Sequence, residues 1–298
     1  MRTELVFRSD TLTGPYEGRV ALKDRGIAQG GIFDTPDGRW YAMLFRDSGA
    51  VGRIPYLLPV KWEDGWPVLG TDGKAPDALE LPAPAGDIPG IVASDEFDRP
   101  AGARPLPLVW QWNHNPVNED WSLSERPGFL RIKTGRVTKG LLDAPNTLTQ
   151  RTFGPECSGA AALDVSGMKD GDVAGLAALQ KNYGFVGVKR AAGANTLVMV
   201  NAGTGTPAEV ASVPLSQPTV HLKIGMDFRE RADQARFYYS LDGKQWQSIG
   251  DVVKMRYTIP HFMGYRFGLF HYATEQAGGV VDFDYFRVGD KSDVPNPG

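Results

Sequence analysis

Apolar positions along this chain of 298 residues fall into short runs rather than long helical stripes. The runs are "ELVFRS", "GGIFDT", "RWYAMLF", "FLRIKT", "GFVGVKR", "TLVMVN", "VHLKIGMDF", "ARFYYSLDG", "YRFGLFHYA" and "VVDFDYFRV". They are rich in β-branched and aromatic residues, and turn formers such as "PDG", "LDG" and "AGG" separate them, which predicts strands. One stretch, "GDVAGLAALQKNYG", has the spacing of a helix. Gly175 and its flanking glycines weaken that reading, so its alanines are predicted to lie on a tightly packed strand. The fold class expected is all-β.

The pattern breaks once, over residues 72–108, where Pro, Ala, Gly and Asp dominate and Phe97 is the only aromatic residue. Proline cannot donate to a sheet ladder, so this stretch is predicted to be an extended connector with a domain boundary near residue 90. The organisation expected is a first portion over 1–75, a linker over 76–90 and a domain over 91–298. The first portion is short for an independent domain, whereas the last has room for a two-sheet sandwich.

Three clusters carry candidate chemistry. In "GRIPYLLPVKWEDGWPVLG" a guanidinium at Arg53 could fork to sugar hydroxyls or to a carboxylate, while Trp62 and Trp66 could stack on a sugar or pack in a sheet. In "PLVWQWNHNPVNEDW", alternation places Trp110 and Trp112 on one strand face and Gln111 on the other, as sugar contacts or as core. In "PHFMGYRFGLF" and "VVDFDYFRV", aromatic residues surround a glycine and then alternate. Phe283, Tyr285 and Arg287 are expected on one face, with Asp282, Asp284 and Phe286 on the other. The paired aspartates raise calcium as one reading and a solvated face as the other.

Composition narrows the function classes. The hydrophobic fraction of 42% allows a large core, and a net charge of −3 gives no electrostatic case for nucleic acid. The single cysteine, Cys157, excludes an internal disulfide, and the four scattered histidines match no zinc spacing. The segment "MRTELVFRSD" lacks the features of a signal peptide and no run is long enough to span a bilayer, so the chain as written is expected to be soluble and cytoplasmic. A G-x-S-x-G elbow and a P-loop are both absent.

Several longer stretches resemble glycoside hydrolase family 43. They are "RSDTLTGPYE", "GGIFDTPDGRWYAMLF", "GAVGRIPYLLPVKWEDGWPVLG", "LVWQWNHNPVNEDWSLSERPGFLRI", "NTLTQRTFGPECSGAAALDVSGMKDGDVAGLAALQKNYGFVGVKR" and "DFDYFRV". The likeness is to β-xylosidases and α-L-arabinofuranosidases with a C-terminal β-sandwich, and it runs in order over nearly the whole chain. It implies that residues 1–75 are the remnant of a five-bladed β-propeller and that 91–298 form a concanavalin-A-like (jelly-roll) sandwich.

The resemblance also implies inverting removal of xylose or arabinose from xylan or arabinoxylan. The family's two aspartates and its glutamate acid precede the "SDTLTGPYE" segment, so no catalytic residue is expected here and Glu17 is not that acid. Where the family reads Ile-His-Gln-Gly-Gly, this chain reads "IAQGG". Ala28 replaces the histidine that helps to hold an axial ion or water, which leaves no cofactor expected and a calcium ion in doubt. Arg53 matches the family's substrate-contacting arginine, and Phe262 looks like the sandwich aromatic that reaches toward the pocket. The expected substrate-binding residues are Arg53, Phe262, Gln29, Trp110 and Trp112, with no metal ligand. The partners expected are xylan-type carbohydrate and either a second copy or a chain carrying the missing blades. The rival reading is a stand-alone carbohydrate-binding or accessory sandwich.

Overall fold

The computed structural model describes residues 2–82, 86, 90–100 and 106–292. Part of the linker expected at 76–90, residues 83–85 and 87–89, lies outside the described residues, as do 101–105 and 293–298 of the expected sandwich. The chain divides into two compact units, Met1–Ile88 and Pro89–Gly298. Among the described residues there are strands and short 3₁₀ turns but no α-helix.

The first unit holds six strands: β1 (Glu4–Arg8), β2 (Glu17–Leu22), β3 (Ala28–Asp34), β4 (Trp40–Asp47), β5 (Arg53–Glu63) and β6 (Trp66–Leu69). Strands β1 and β2 form a hairpin, and β3 to β6 form an antiparallel meander with the strand count of one propeller blade. The β5–β6 hairpin closes through Asp64 and Gly65, both at positive φ (50° and 74°), as a two-residue turn of right twist requires. Leu22, Ile27, Ala42, Leu44, Leu58, Val60 and Leu69 make the unit's buried cluster. Trp66 is buried beneath two guanidinium groups, Arg8 at 4.1 Å and Arg19 at 4.4 Å from its ring centre, while Trp62 stands half-exposed, edge-on to Trp40. Trp62 therefore packs on its own sheet and Trp66 against the β1–β2 hairpin. Phe7, Leu12, Tyr16, Val20, Phe33 and Met43 remain exposed.

The second unit begins with the short strands β7 (Gln111–Trp112), β8 (Trp121–Ser122), β9 (Leu130–Lys133) and β10 (Leu148–Arg151). Longer strands follow: β11 (Glu156–Asp164), β12 (Asp172–Leu179), β13 (Gly184–Ala191), β14 (Ala194–Asn201), β15 (Ala208–Leu215) and β16 (Thr219–Asp227). The last are β17 (Gln234–Ser240), β18 (Gln247–Ser248), β19 (Val253–Lys254), β20 (Arg266–Ala273) and β21 (Val280–Gly289). One sheet runs β15-β14-β13-β12-β20-β10-β7 and the other β18-β17-β16-β11-β21-β9-β8, with β19 paired to β17. Neighbours in space are often distant in sequence, as in a jelly-roll sandwich.

Alternation along each strand divides core from outer face. On β20, Phe267 turns inward and meets Phe286 of β21 at 5.7 Å between ring centres, and Trp110 meets the same Phe286 at 5.2 Å. The backbone of β11 passes so near Phe267 that a methyl group on Gly159 would come within 2.8 Å of the ring, which is why a glycine stands there. The alanine-rich segment is strand β12, buried at every residue, and the helical spacing is overridden because small side chains let both its faces pack. The outer face of this sheet carries a second apolar cluster that includes Leu141, Val173, Tyr183, Phe185, Val198 and Phe270.

The expected alternation on "DFDYFRV" is corrected by a bulge. Leu163 pairs with Phe283 but Ala162 pairs with Tyr285, which leaves Asp284 unopposed and exposed. The extra residue changes the phase, so Phe283 and Phe286 are both fully buried while Tyr285 stacks with His221 and Arg287. Asp282 is not on a solvated face either. It is buried, and its oxygens accept hydrogen bonds from Arg131 (2.8 and 2.9 Å) and Arg126 (2.9 Å).

Phe286 links both sheets and is fully buried, so Phe286→Ala should destabilise the chain by about 3–5 kcal/mol. Urea unfolding monitored by tryptophan fluorescence measures this, and a loss below about 1 kcal/mol would show that the two sheets do not depend on this contact.

Candidate functional site

A concavity of the second unit lies at one end of the seven-stranded sheet and has a volume of about 570 Å³. Four parts of the chain build it, one of them Leu142 of the 3₁₀ turn Leu141–Asp143. Strand β7 and the residues after it supply Gln111, Trp112, Asn113 and His114; the end of β12 supplies Leu179, Gln180 and Lys181; the approach to β20 supplies Pro260 to Gly264 and Arg266. Register explains the convergence: Leu179 pairs with Arg266, Arg266 with Arg151, and Thr149 with Gln111. Because Phe267 faces the core, its neighbour Arg266 must face outward into the cavity.

The lining is cationic. It contains Arg266, Lys181, His261 and His114 and no aspartate or glutamate. The Arg266 guanidinium donates to Thr149 Oγ1 at 3.0 Å and to Met263 Sδ at 3.4 Å. Burial, and then the nearby Arg151, push its pKa below the ordinary arginine value. Burial, followed by Arg266 and Lys181, also lowers the pKa of His261, which favours its neutral form. Gln180 is 2% exposed; its side chain bonds to Thr258 Oγ1 at 3.0 Å, and its Nε2 has no partner. Whichever way that amide is turned, one polar atom stays unpaired.

Of the residues expected to contact substrate, the structure brings two to this cavity. Trp112 is half-buried on its wall, against Trp121 at 5.1 Å between ring centres. Phe262 stands 44% exposed on the 3₁₀ turn that begins at Ile259, a length of chain held out from the sheet. Trp110 lies elsewhere, at 6% exposure in the core against Phe97 and Phe286, and its Nε1 donates to Asp95 at 2.8 Å. Trp110 precedes β7 and packs toward the second sheet, so we assign it to packing.

Arg53 and Gln29 belong to the first unit. The Arg53 guanidinium bonds to Asp47 at 3.2 Å and lies 4.3 Å from the ring centre of Phe45, which fixes its plane. Gln29 is held at positive φ (61°) with its backbone N–H on Glu4 Oε2 at 2.6 Å. Ala28 is 2% exposed and offers only a methyl group. Among the described residues no group of three His, Cys, Asp or Glu side chains could hold a metal. Ala28 itself offers an axial ion no ligand.

Sequence reasoning missed Arg266, Gln180 and Lys181. Arg266 stands inside the quoted "GYRFGLF", among aromatic residues; its partner Thr149 lies 117 residues upstream and only register unites them. Cys157 is not a nucleophile, since burial pushes its thiol up to about 12.

Comparison with known proteins agrees with this architecture. The family described as the β-xylosidase C-terminal concanavalin A-like domain matches residues 94–289. A β-xylosidase of Formosa agariphila is 31% identical over 96% of this chain and 52% of its own length. Among solved structures, the bifunctional GH43-CE protein of Bacteroides eggerthii superposes with a TM-score of 0.91 at 62% identity, over 97% of this chain and 37% of that one. An engineered GH43 enzyme, described as displaying both endo-xylanase and exo-arabinofuranosidase activity, superposes at 0.84 with 33% identity, over 96% of this chain and 60% of its own. The chain thus spans about half the length of the curated β-xylosidase it matches. A sandwich of this topology, matched by that family over most of its length, settles the relationship: the chain belongs to glycoside hydrolase family 43 and carries its C-terminal concanavalin A-like domain.

Proposed function

We propose that this chain is the carbohydrate-contacting C-terminal portion of an exo-acting xylosidase or arabinofuranosidase, and that it binds xylan-type sugar without hydrolysing it. The cavity lining carries this reading. Inverting cleavage needs two carboxylates, one to protonate the leaving oxygen and one to activate water. The cavity offers aromatic faces at Trp112 and Phe262 and hydrogen-bonding groups at Gln111, Asn113 and Gln180, but no carboxylate. Such a lining can hold a pyranose by its C–H faces and hydroxyls, and it lacks the carboxylate pair on which inverting cleavage depends. Arg53, with its plane fixed by Asp47 and Phe45, is the first unit's proposed sugar contact, and Gln29 a second. The names of the relatives support xylose and arabinose units as the sugars. We assign no cofactor.

The purified chain should give no turnover of aryl xylosides or aryl arabinosides at millimolar concentration. Hydrolysis abolished by a single carboxylate change within this chain, such as Glu17→Gln or Asp34→Asn, would overturn the reading.

We further propose that the first unit associates through its exposed apolar face, either with a second copy or with a chain carrying further propeller blades. Phe7, Leu12, Tyr16, Val20 and Met43 present rings and aliphatic chains to solvent on a hairpin and a meander, and exposed strand surfaces of this kind find partners. Light scattering on the purified chain should give a mass above 32.5 kDa that rises with concentration. A strictly monomeric chain at high concentration contradicts the association.

A further inference from the structure

The cavity holds more positive charge than a neutral sugar can use. Arg266 and Arg151 stand directly opposite each other on β20 and β10, and neither has a carboxylate within ion-pair distance among the described residues. Like charges facing across a strand pair are destabilising unless an anion offsets them. Lys181 lies exposed at the cavity rim, also without a carboxylate partner among the described residues, and the lining itself has no acidic side chain. Beside these cations lies the buried Gln180 amide with one polar atom unpaired, an arrangement that costs free energy until something bonds to it. Trp112 and Phe262 complete the walls with apolar faces.

We propose that this cavity is a subsite for an acidic sugar, a hexuronate whose ring lies against Trp112 and Phe262 and whose carboxylate is held by Arg266 and Lys181. The inference rests on the reading of the chain as carbohydrate-binding and adds the class of sugar, an acidic side group on a xylan-type polymer. Each part of the site has a counterpart in that ligand. A planar guanidinium pairs with a carboxylate through two parallel hydrogen bonds, and the Thr149 hydroxyl and Met263 sulfur already hold Arg266 in one orientation. The unpaired atom of Gln180 bonds to a ring hydroxyl. His261, whose neutral form is favoured, adds a ring nitrogen that can accept or donate. A simple inorganic anion would leave the aromatic walls and the amide unused; a neutral pyranose would leave Arg266 and Lys181 unneutralised.

Titration calorimetry on the full purified chain tests the assignment, with methyl glucuronoside, the matching neutral methyl glucoside, a neutral xylo-oligosaccharide and acetate as probes. The glucuronoside should bind about ten-fold or more tightly than the glucoside and than acetate, because a charge-assisted pair is added to the same ring contacts. Raising the salt concentration should weaken it. Arg266→Met should remove most of that preference, and Lys181→Gln, a rim change that leaves the sheet untouched, should reduce it several-fold at an unchanged melting temperature. Equal affinity for glucuronoside and glucoside, or acetate binding as tightly as the glucuronoside, overturns the acidic-sugar subsite. Binding of the neutral xylo-oligosaccharide alone also overturns it while leaving the carbohydrate reading in place, whereas loss of all sugar binding removes both.

Discussion

The sandwich depends on one contact across its two sheets, the packing of Phe267 and Trp110 on Phe286. This contact sets the phase of strand β20, and the phase decides everything on the outer face. With Phe267 turned in, Arg266 is turned out, beside Leu179 and Gln180 and opposite Arg151. A shift of one residue would put the guanidinium into the core and the phenyl ring into the cavity. Gly159, placed where any side chain would strike Phe267, keeps the sheets close enough for the contact to form. The bulge at Asp284 serves the same end, since it lets two aromatic residues three apart, Phe283 and Phe286, both point inward.

Much of this fold was legible in the sequence because its strands are short, aromatic and separated by glycine turns. Strands β13, β14, β16, β17 and β20 coincide with runs read from β-branched and aromatic content alone. The turn between β3 and β4 was marked by "PDG", whose Gly38 lies at positive φ (82°). The bulge was not legible, because an extra residue at Asp284 answers to what lies across the sandwich and leaves no local signature. For the same reason Trp110 and Trp112, identical in type and two apart, could not be separated by sequence. One is sealed beneath Phe97 and bonded to Asp95, and the other stands at the sheet edge, where the cavity opens.

The candidate site shows a different division. Phe262 was named through the resemblance, in which it looks like the sandwich aromatic that reaches toward the pocket. Its polar companions were not, since Gln111, Gln180 and Arg266 come from three separate segments and meet only through the pairing of β7, β10, β20 and β12. Their chemistry is coherent once assembled: cations without acids, an amide without a full set of partners, and apolar walls on either side. That combination binds and orients. It lacks the paired carboxylates by which a glycosidase moves protons.

On the proposed reading, the sandwich holds sugar at the sheet end near Phe262. Mapping by amide chemical-shift perturbation, with a xylo-oligosaccharide titrated into the isotope-labelled chain, tests this. Within the sandwich the shifts should concentrate on residues 111–114, 179–181 and 260–266. Shifts centred instead on the outer-face cluster around Tyr183, Phe185 and Val198, with residues 260–266 unmoved, would contradict it.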